Sequence, residues 1–171
     1  MSQKYSRRTV LSSLTLGLAG FLPRGAGAQL QKADKIMVWK GRRVLQLMRA
    51  GTVMESFRIA LGEHPIGPKL AKHDGRTPEG YYMVDGLNPH SPYFLSLHLN
   101  YPNAFDRLLA EEEGVEPGGD IAIHGMPLRY GYTDPVGYFR DWTDGCISVG
   151  NKSIERIFFA VDVGTPVEIR A

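Results

Sequence analysis

The sequence is most informative first for what it lacks. Its 171 residues include one cysteine, which excludes an intramolecular disulfide framework and a cysteine-rich zinc site. His64, His73, His90 and His98 are scattered without HxxxH or HExxH spacing, so no metal is predicted. There is no P-loop and no dinucleotide fingerprint, so no nucleotide and no other cofactor is predicted. The longest apolar run, Val10 to Leu22, falls short of the roughly 20 residues that span a bilayer. Internal repeats and low-complexity tracts are also missing, and 22% charged with 43% hydrophobic residues is an ordinary globular composition. The length predicts one domain.

The first 28 residues read as an address. Arg7-Arg8 lies between Ser6 and Val10-Leu11, an apolar stretch follows, and Ala26-Gly27-Ala28 offers small residues to a signal peptidase. The arginine pair resembles a twin-arginine export signal, while Val10 in place of the usual Phe keeps the general secretory route open. Cleavage after Ala28 would leave residues 29–171 as a single periplasmic domain. Four of the 20 basic residues and none of the 18 acidic ones lie in the signal, so its removal takes the net charge from +2 to −2. A near-neutral mature chain argues against a nucleic-acid partner.

The mature chain reads as short strands: Ile36–Lys40, Arg43–Arg49, Val53–Leu61, Gly80–Asp85, Tyr93–Leu99, Asp120–His124 and Pro166–Arg170. Gly41-Arg42 and Ala50-Gly51 separate the first three as tight turns. Leu45 and Leu47 alternate with Val44, Gln46 and Met48, the period of a half-buried strand. Two short helices are predicted: Ala104 to about Glu112, with Asn103 as N-cap and Asp106 three residues on, and Lys152–Val161, capped by Asn151, with Ile154, Ile157, Phe158 and Val161 on one face. Glu111–Glu113 reads as the solvated end of the first helix. The fold class is therefore mainly β, a sandwich or barrel with two short helices.

Chemistry concentrates near the C-terminus. Cys146 sits in Thr143-Asp144-Gly145-Cys146-Ile147-Ser148-Val149-Gly150-Asn151, and Ile123-His124-Gly125 ends a predicted strand 22 residues upstream. A lone cysteine is either a small buried hydrophobe or a reactive thiol. Here Gly145 permits close approach of a substrate to the backbone, and a strand-borne histidine facing a turn-borne cysteine provides a base and a nucleophile.

This His-Gly and Thr-x-Gly-Cys…Asn pairing resembles the signature of the L,D-transpeptidase (YkuD-type) catalytic domain, in its ErfK/YafK-like murein branch. Gly67-Pro-Lys, Asp74-Gly-Arg-Thr-Pro-Glu-Gly-Tyr and Tyr101-Pro-Asn-Ala-Phe-Asp-Arg extend the likeness over residues 34–171. The resemblance implies an L,D-transpeptidase-like β-sandwich and peptidoglycan stem peptides as partners, with carbapenems as covalent inhibitors. It implies Cys146 as nucleophile, His124 as base, the Gly125 carbonyl as orienter of the imidazole, and the N–H groups of Gly145 and Cys146 as oxyanion donors. Asp144 stands where many members have His, and Ser148 where many have Arg. On that pattern Asp144 and Ser148 are predicted to face substrate, with Arg76 or Arg107 as replacement cations. Tyr132, in the aromatic segment Met126–Asp141, is predicted to contact substrate from a lid-like loop. Transpeptidase, L,D-carboxypeptidase and amidase outcomes stay open, as does a non-catalytic wall-binding module; without the arginine, hydrolysis is expected to dominate over cross-linking.

Overall fold

The computed structural model describes residues 31–132 and 140–171. The predicted signal, and Tyr138 and Phe139 of the predicted lid, lie outside the described residues.

Eight strands and two helices make up the described chain: β1 Lys35–Trp39, β2 Val44–Arg49, β3 Thr52–Arg58, β4 Gly80–Ser91, β5 Phe94–Leu99, α1 Ala104–Glu112, β6 Ala122–His124, β7 Ile147–Ser148, α2 Asn151–Ala160 and β8 Pro166–Arg170. The strand order is β3-β2-β1-β8-β4-β5-β6-β7. Strand β4 belongs to both halves: Gly80–Met83 pairs with β8, and Val84–Ser91 pairs with β5. Its continuation past Asp85, through the turn-forming Gly86, Asn88 and Pro89, is accommodated by two irregularities in the β4–β5 register. The two halves fold over a common core of aliphatic residues, among them Ile36, Val38, Leu45, Leu97, Ile123 and Ile147, all fully buried. The mainly β fold predicted from strand spacing is what is observed.

Local chemistry explains the hairpins. Ala50 and Gly51 both have positive φ (48° and 77°), as a type I′ turn requires. Strand β3 stops at Arg58, short of the predicted Leu61. Beyond it Ala60 forms an antiparallel bridge to Ser148, with both N–H···O bonds at 2.8 Å. The last strand in the order is thus tied back toward the first.

The helices differ in how they start. At α1, Asn103 accepts from Phe105 N and Asp106 N while Asp106 accepts from Asn103 N, the predicted capping box. At α2 the N-cap is Gly150, and Asn151 is the first helical residue. The Asn151 side chain is 1% exposed and serves a loop instead: Oδ1 accepts from Met126 N (2.7 Å) and Nδ2 donates to Gly131 O (2.7 Å). Ile154, Ile157 and Val161 are fully buried and Phe158 packs on the core, so the predicted apolar face holds.

Candidate active site

The site is built on the outward face of β5, β6 and β7. Leu95, Leu97 and Leu99 of β5 point inward, which turns Ser96 and His98 outward. Register then aligns two rows. His98 is opposite Ala122, and Ser96 is opposite His124. On β7, Ile147 pairs with Ile123 in the core, and Ser148 pairs with His124. Cys146, one residue before Ile147, falls on the outward face beside Ala122. Cysteine and imidazole therefore share a face, one diagonal step apart.

His124 is 4% exposed. Its Nδ1 donates to the Gly125 carbonyl at 2.7 Å, which fixes the tautomer and leaves Nε2 as an acceptor. The ring packs against Tyr93 (centroids 4.4 Å apart) and edge-on to Trp142 (5.7 Å). Burial pushes the pKa of His124 below 6.5, against the Gly125 bond, so the ring is neutral at rest. Gly125 has no room for a side chain: a Cβ would lie 2.4 Å from Asn151 Oδ1 and 2.8 Å from Tyr93 O.

The Cys146 thiol donates to the Asp120 carbonyl at 3.5 Å. Burial pushes its pKa above 9.0; the carboxylates of Asp144 and Asp120 add to the shift, and the Ala122 N–H and Lys69 oppose it. The resting pair is therefore neutral thiol and neutral imidazole, not thiolate and imidazolium. Thr143 sets the turn beneath: its Oγ1 donates to Cys146 O (2.7 Å) and accepts from Gly145 N (3.2 Å). Of the two predicted oxyanion donors, the Gly145 N–H is thus engaged at rest. Gly145 itself has φ +119°, and a Cβ there would meet the Arg76 carbonyl at 2.5 Å; only glycine fits.

A cleft of about 250 Å³ opens beside the sulfur, lined by Lys69, Lys72, His73, Gly118–Ile121, Asp144 and Cys146. Asp144 is exposed at its mouth and bonded to His73 Nδ1 at 2.6 Å. Four of the five predicted substrate contacts do not line this cleft. Ser148 is 1% exposed, paired with His124 on one side and with Ala60 on the other, with its hydroxyl on Met126 Sδ (3.5 Å); it is covered and does not line the cleft. Arg76 packs its backbone carbonyl against Gly145 while its guanidinium lies toward Gly67. Arg107 is exposed on α1 and does not line the cleft. Tyr132 bonds Glu155 on α2 and sits edge-on to Phe94.

The cations beside the cysteine are Lys69 and Lys72, which sequence reasoning missed. Lys69 is buried and paired with Asp74 (2.8 Å); Lys72 is exposed and lies 3.4 Å from Glu116. Gly67-Pro-Lys was the available signal, since Lys69 is its third residue. The loop carrying them is anchored by Lys40, 2% exposed, whose Nζ donates to Gly67 O, Thr77 O and Glu79 Oε1 at 2.6–2.8 Å. No cluster of three or more metal-binding side chains occurs among the described residues.

Comparison with known proteins gives the same picture. The profile described as YkuD, L,D-transpeptidase catalytic domain, matches residues 33–169. The Escherichia coli (strain K12) protein YafK is 30% identical over 129 residues, which are 72% of this chain and 45% of YafK. The helical cell shape determining protein Pgp2 from Campylobacter jejuni superposes with a TM-score of 0.60 at 26% identity, over 79% of this chain and 46% of Pgp2. The L,D-transpeptidase LdtMt1, solved in complex with imipenem, shares the fold with a TM-score of 0.50 at 17% identity, over 79% of this chain and 57% of that one. The chain thus spans about half the length of these relatives.

Proposed function

We propose that this chain, which belongs to the L,D-transpeptidase catalytic-domain family, is an exported cysteine acyltransferase that acts on peptidoglycan stem peptides. The observation that carries the reading is Cys146 and His124 on one outward sheet face, with the imidazole fixed by the Gly125 carbonyl. Cys146 attacks the carbonyl at the L-centre of the diamino acid in a stem ending in D-alanine. The thiol proton passes to Nε2 of His124, collapse of the tetrahedral intermediate expels D-alanine, and the leaving nitrogen takes that proton. A thioester on Cys146 remains, to be opened by an amine of a neighbouring stem or by water. Lys72 is the exposed cation on the cleft wall, while Lys69 is buried against Asp74; with Ser148 carrying no charge, the ratio of tripeptide to dimer product decides between hydrolysis and cross-linking. Incubating the protein with defined tetrapeptide muropeptides tests the reading: mass spectrometry should find released D-alanine and an acyl mass on Cys146. Intact tetrapeptide after prolonged incubation would sink it.

The neutral resting pair sets the pH dependence. His124 must be unprotonated to accept the thiol proton, and burial holds its pKa below 6.5. Acylation should therefore stay high as pH falls through 6.5 and decline only as pH passes the lowered value. Alkylation of Cys146 by iodoacetamide should be slow at neutral pH and rise above pH 9, because the thiolate is disfavoured. A fast, pH-independent alkylation between pH 5 and 8 would reveal an ion pair instead.

Export follows from the N-terminal segment. The secreted protein should begin at Gln29 by intact mass, and changing Arg7-Arg8 to Lys-Lys should retain it in the cytoplasm if the twin-arginine receptor reads the pair. An unprocessed, cytoplasmic wild-type protein would overturn the export reading.

A further inference from the structure

A second histidine occupies the same face as Cys146, on the opposite flank of Ala122. The row defined by register runs from Gly86 on β4 to His98 on β5, Ala122 on β6 and then Cys146. The irregularity between Val84 and Gly86 places Asp85 beside His98, and His98 Nδ1 lies 2.6 Å from Asp85 Oδ1. A carboxylate only accepts, so Nδ1 is the donor and Nε2 is left free to take a proton. Nε2 faces Asp120, with Oδ1 at 3.8 Å, and the carbonyl of that same Asp120 receives the Cys146 thiol. His98 is 42% exposed, unlike the covered His124. Strand spacing puts the backbones of His98 and Cys146 about 10 Å apart. The residue between them is alanine, and Asp120 spans the gap, with its carbonyl on the thiol and its carboxylate toward His98 Nε2; Asp120 also lines the cleft beside the sulfur.

We propose that His98, oriented by Asp85, is a second catalytic base, which deprotonates the acceptor in the transfer half of the reaction; this rests on the acyl-transfer reading above. The acceptor, an amine or water in the cleft beside Asp120, gives its lone pair to the thioester carbonyl and forms the new C–N or C–O bond. Its proton passes to Nε2 of His98, and the imidazolium is held by Asp85 and Asp120. The C–S bond breaks, and Cys146 leaves as thiolate. Exposed His98 then returns its proton to water, and the thiolate takes one from water, so the enzyme is restored. His124 serves the thiol and the leaving amine, and His98 serves the incoming nucleophile.

The test separates the half-reactions in His98→Gln, His98→Ala and Asp85→Asn, using a tetrapeptide muropeptide as donor. D-alanine release in the first turnover should stay within about twofold of wild type, while steady-state product formation falls by about 100-fold or more in the His98 variants. The acyl-enzyme should then accumulate and be visible by intact mass. Asp85→Asn should slow product formation in the same direction, by less. Added imidazole should restore product formation to His98→Ala, a rescue that a structural role would not give, and thermal unfolding should confirm that each variant is folded. Product formation within threefold of wild type in His98→Gln, or equal loss of both half-reactions without imidazole rescue, overturns the assignment of His98 and leaves the acyl-transfer reading standing. A wild-type protein that releases no D-alanine overturns both.

Discussion

Cys146→Ala should abolish turnover, with a loss on the order of 10⁶-fold, while the fold is retained. Among the described residues the hydroxyls nearest the thiol cannot replace it: those of Thr143 and Ser148 are committed to Cys146 O and Met126 Sδ, and both residues are buried. Cys146→Ser should fail almost as completely. A serine hydroxyl holds its proton far more tightly than a thiol, and this site already disfavours the anion through burial and the carboxylates of Asp144 and Asp120. Stability should change little, within about 0.5 kcal/mol, because the thiol's bond to Asp120 O is long, at 3.5 Å. The paired measurements are muropeptide turnover and thermal unfolding. A carbapenem, which would acylate the thiol nucleophile proposed above, should add its mass to the wild-type protein and not to Cys146→Ala. Retained turnover in either variant, or an adduct on the alanine variant, would remove Cys146 from the mechanism.

What was legible in the sequence is what local chemistry decides. Alternation of Leu45 and Leu47 with Val44, Gln46 and Met48 set the strand faces, Ala50-Gly51 marked a turn, and Asn103 with Asp106 marked the cap of α1. His124 and Cys146 were readable because motif and strand coincide. Asn151 shows where local reading ends. Its position at a helix start suggests a cap, yet its amide is drawn to Met126 N and Gly131 O, partners 25 and 20 residues away. Ser148 was expected to face substrate, and motif spacing cannot reveal that Met126 meets its hydroxyl. Tyr93, Lys69 and Lys72 reach the site from segments far off in sequence, and no local pattern marks such convergence. Arg76 lies in a recognisable motif, but the motif uses its backbone carbonyl against Gly145 and not its charge.

Asp74→Ala should be the most damaging single change outside the catalytic pair, and its cost should appear first in stability. The Asp74 carboxylate is 17% exposed and accepts four hydrogen bonds: from Lys69 Nζ (2.8 Å), Leu70 N (2.9 Å), Ala71 N (3.1 Å) and Arg76 N (3.0 Å). Burial alone would push its pKa up, but Lys69 and the three amides outweigh burial and hold it below 3.8. Removing the carboxylate strands the ammonium of Lys69, whose side chain is 2% exposed and keeps only the Ala71 carbonyl. Breaking a buried pair from one side costs about 3–5 kcal/mol, or a fall in melting temperature of roughly 10 °C for a domain of this size. Adding Lys69→Met to Asp74→Ala should recover part of that loss, because the stranded charge is gone while the three unpaired amides remain. The pH dependence has a definite sign. A carboxyl with a depressed folded pKa stabilises the protein above its unfolded value and loses that contribution as pH falls through the folded one. The gap between wild type and Asp74→Ala should therefore be widest at neutral pH and narrow below pH 3.8. Turnover should fall as well, since the same loop presents Lys69 to the cleft and packs Arg76 O on Gly145. Denaturant unfolding of the wild type, Asp74→Ala and the double variant at pH 7 and pH 3.5 decides it. A single variant as stable as wild type, or a double variant no better than the single, would show that Asp74 does not hold this loop through Lys69.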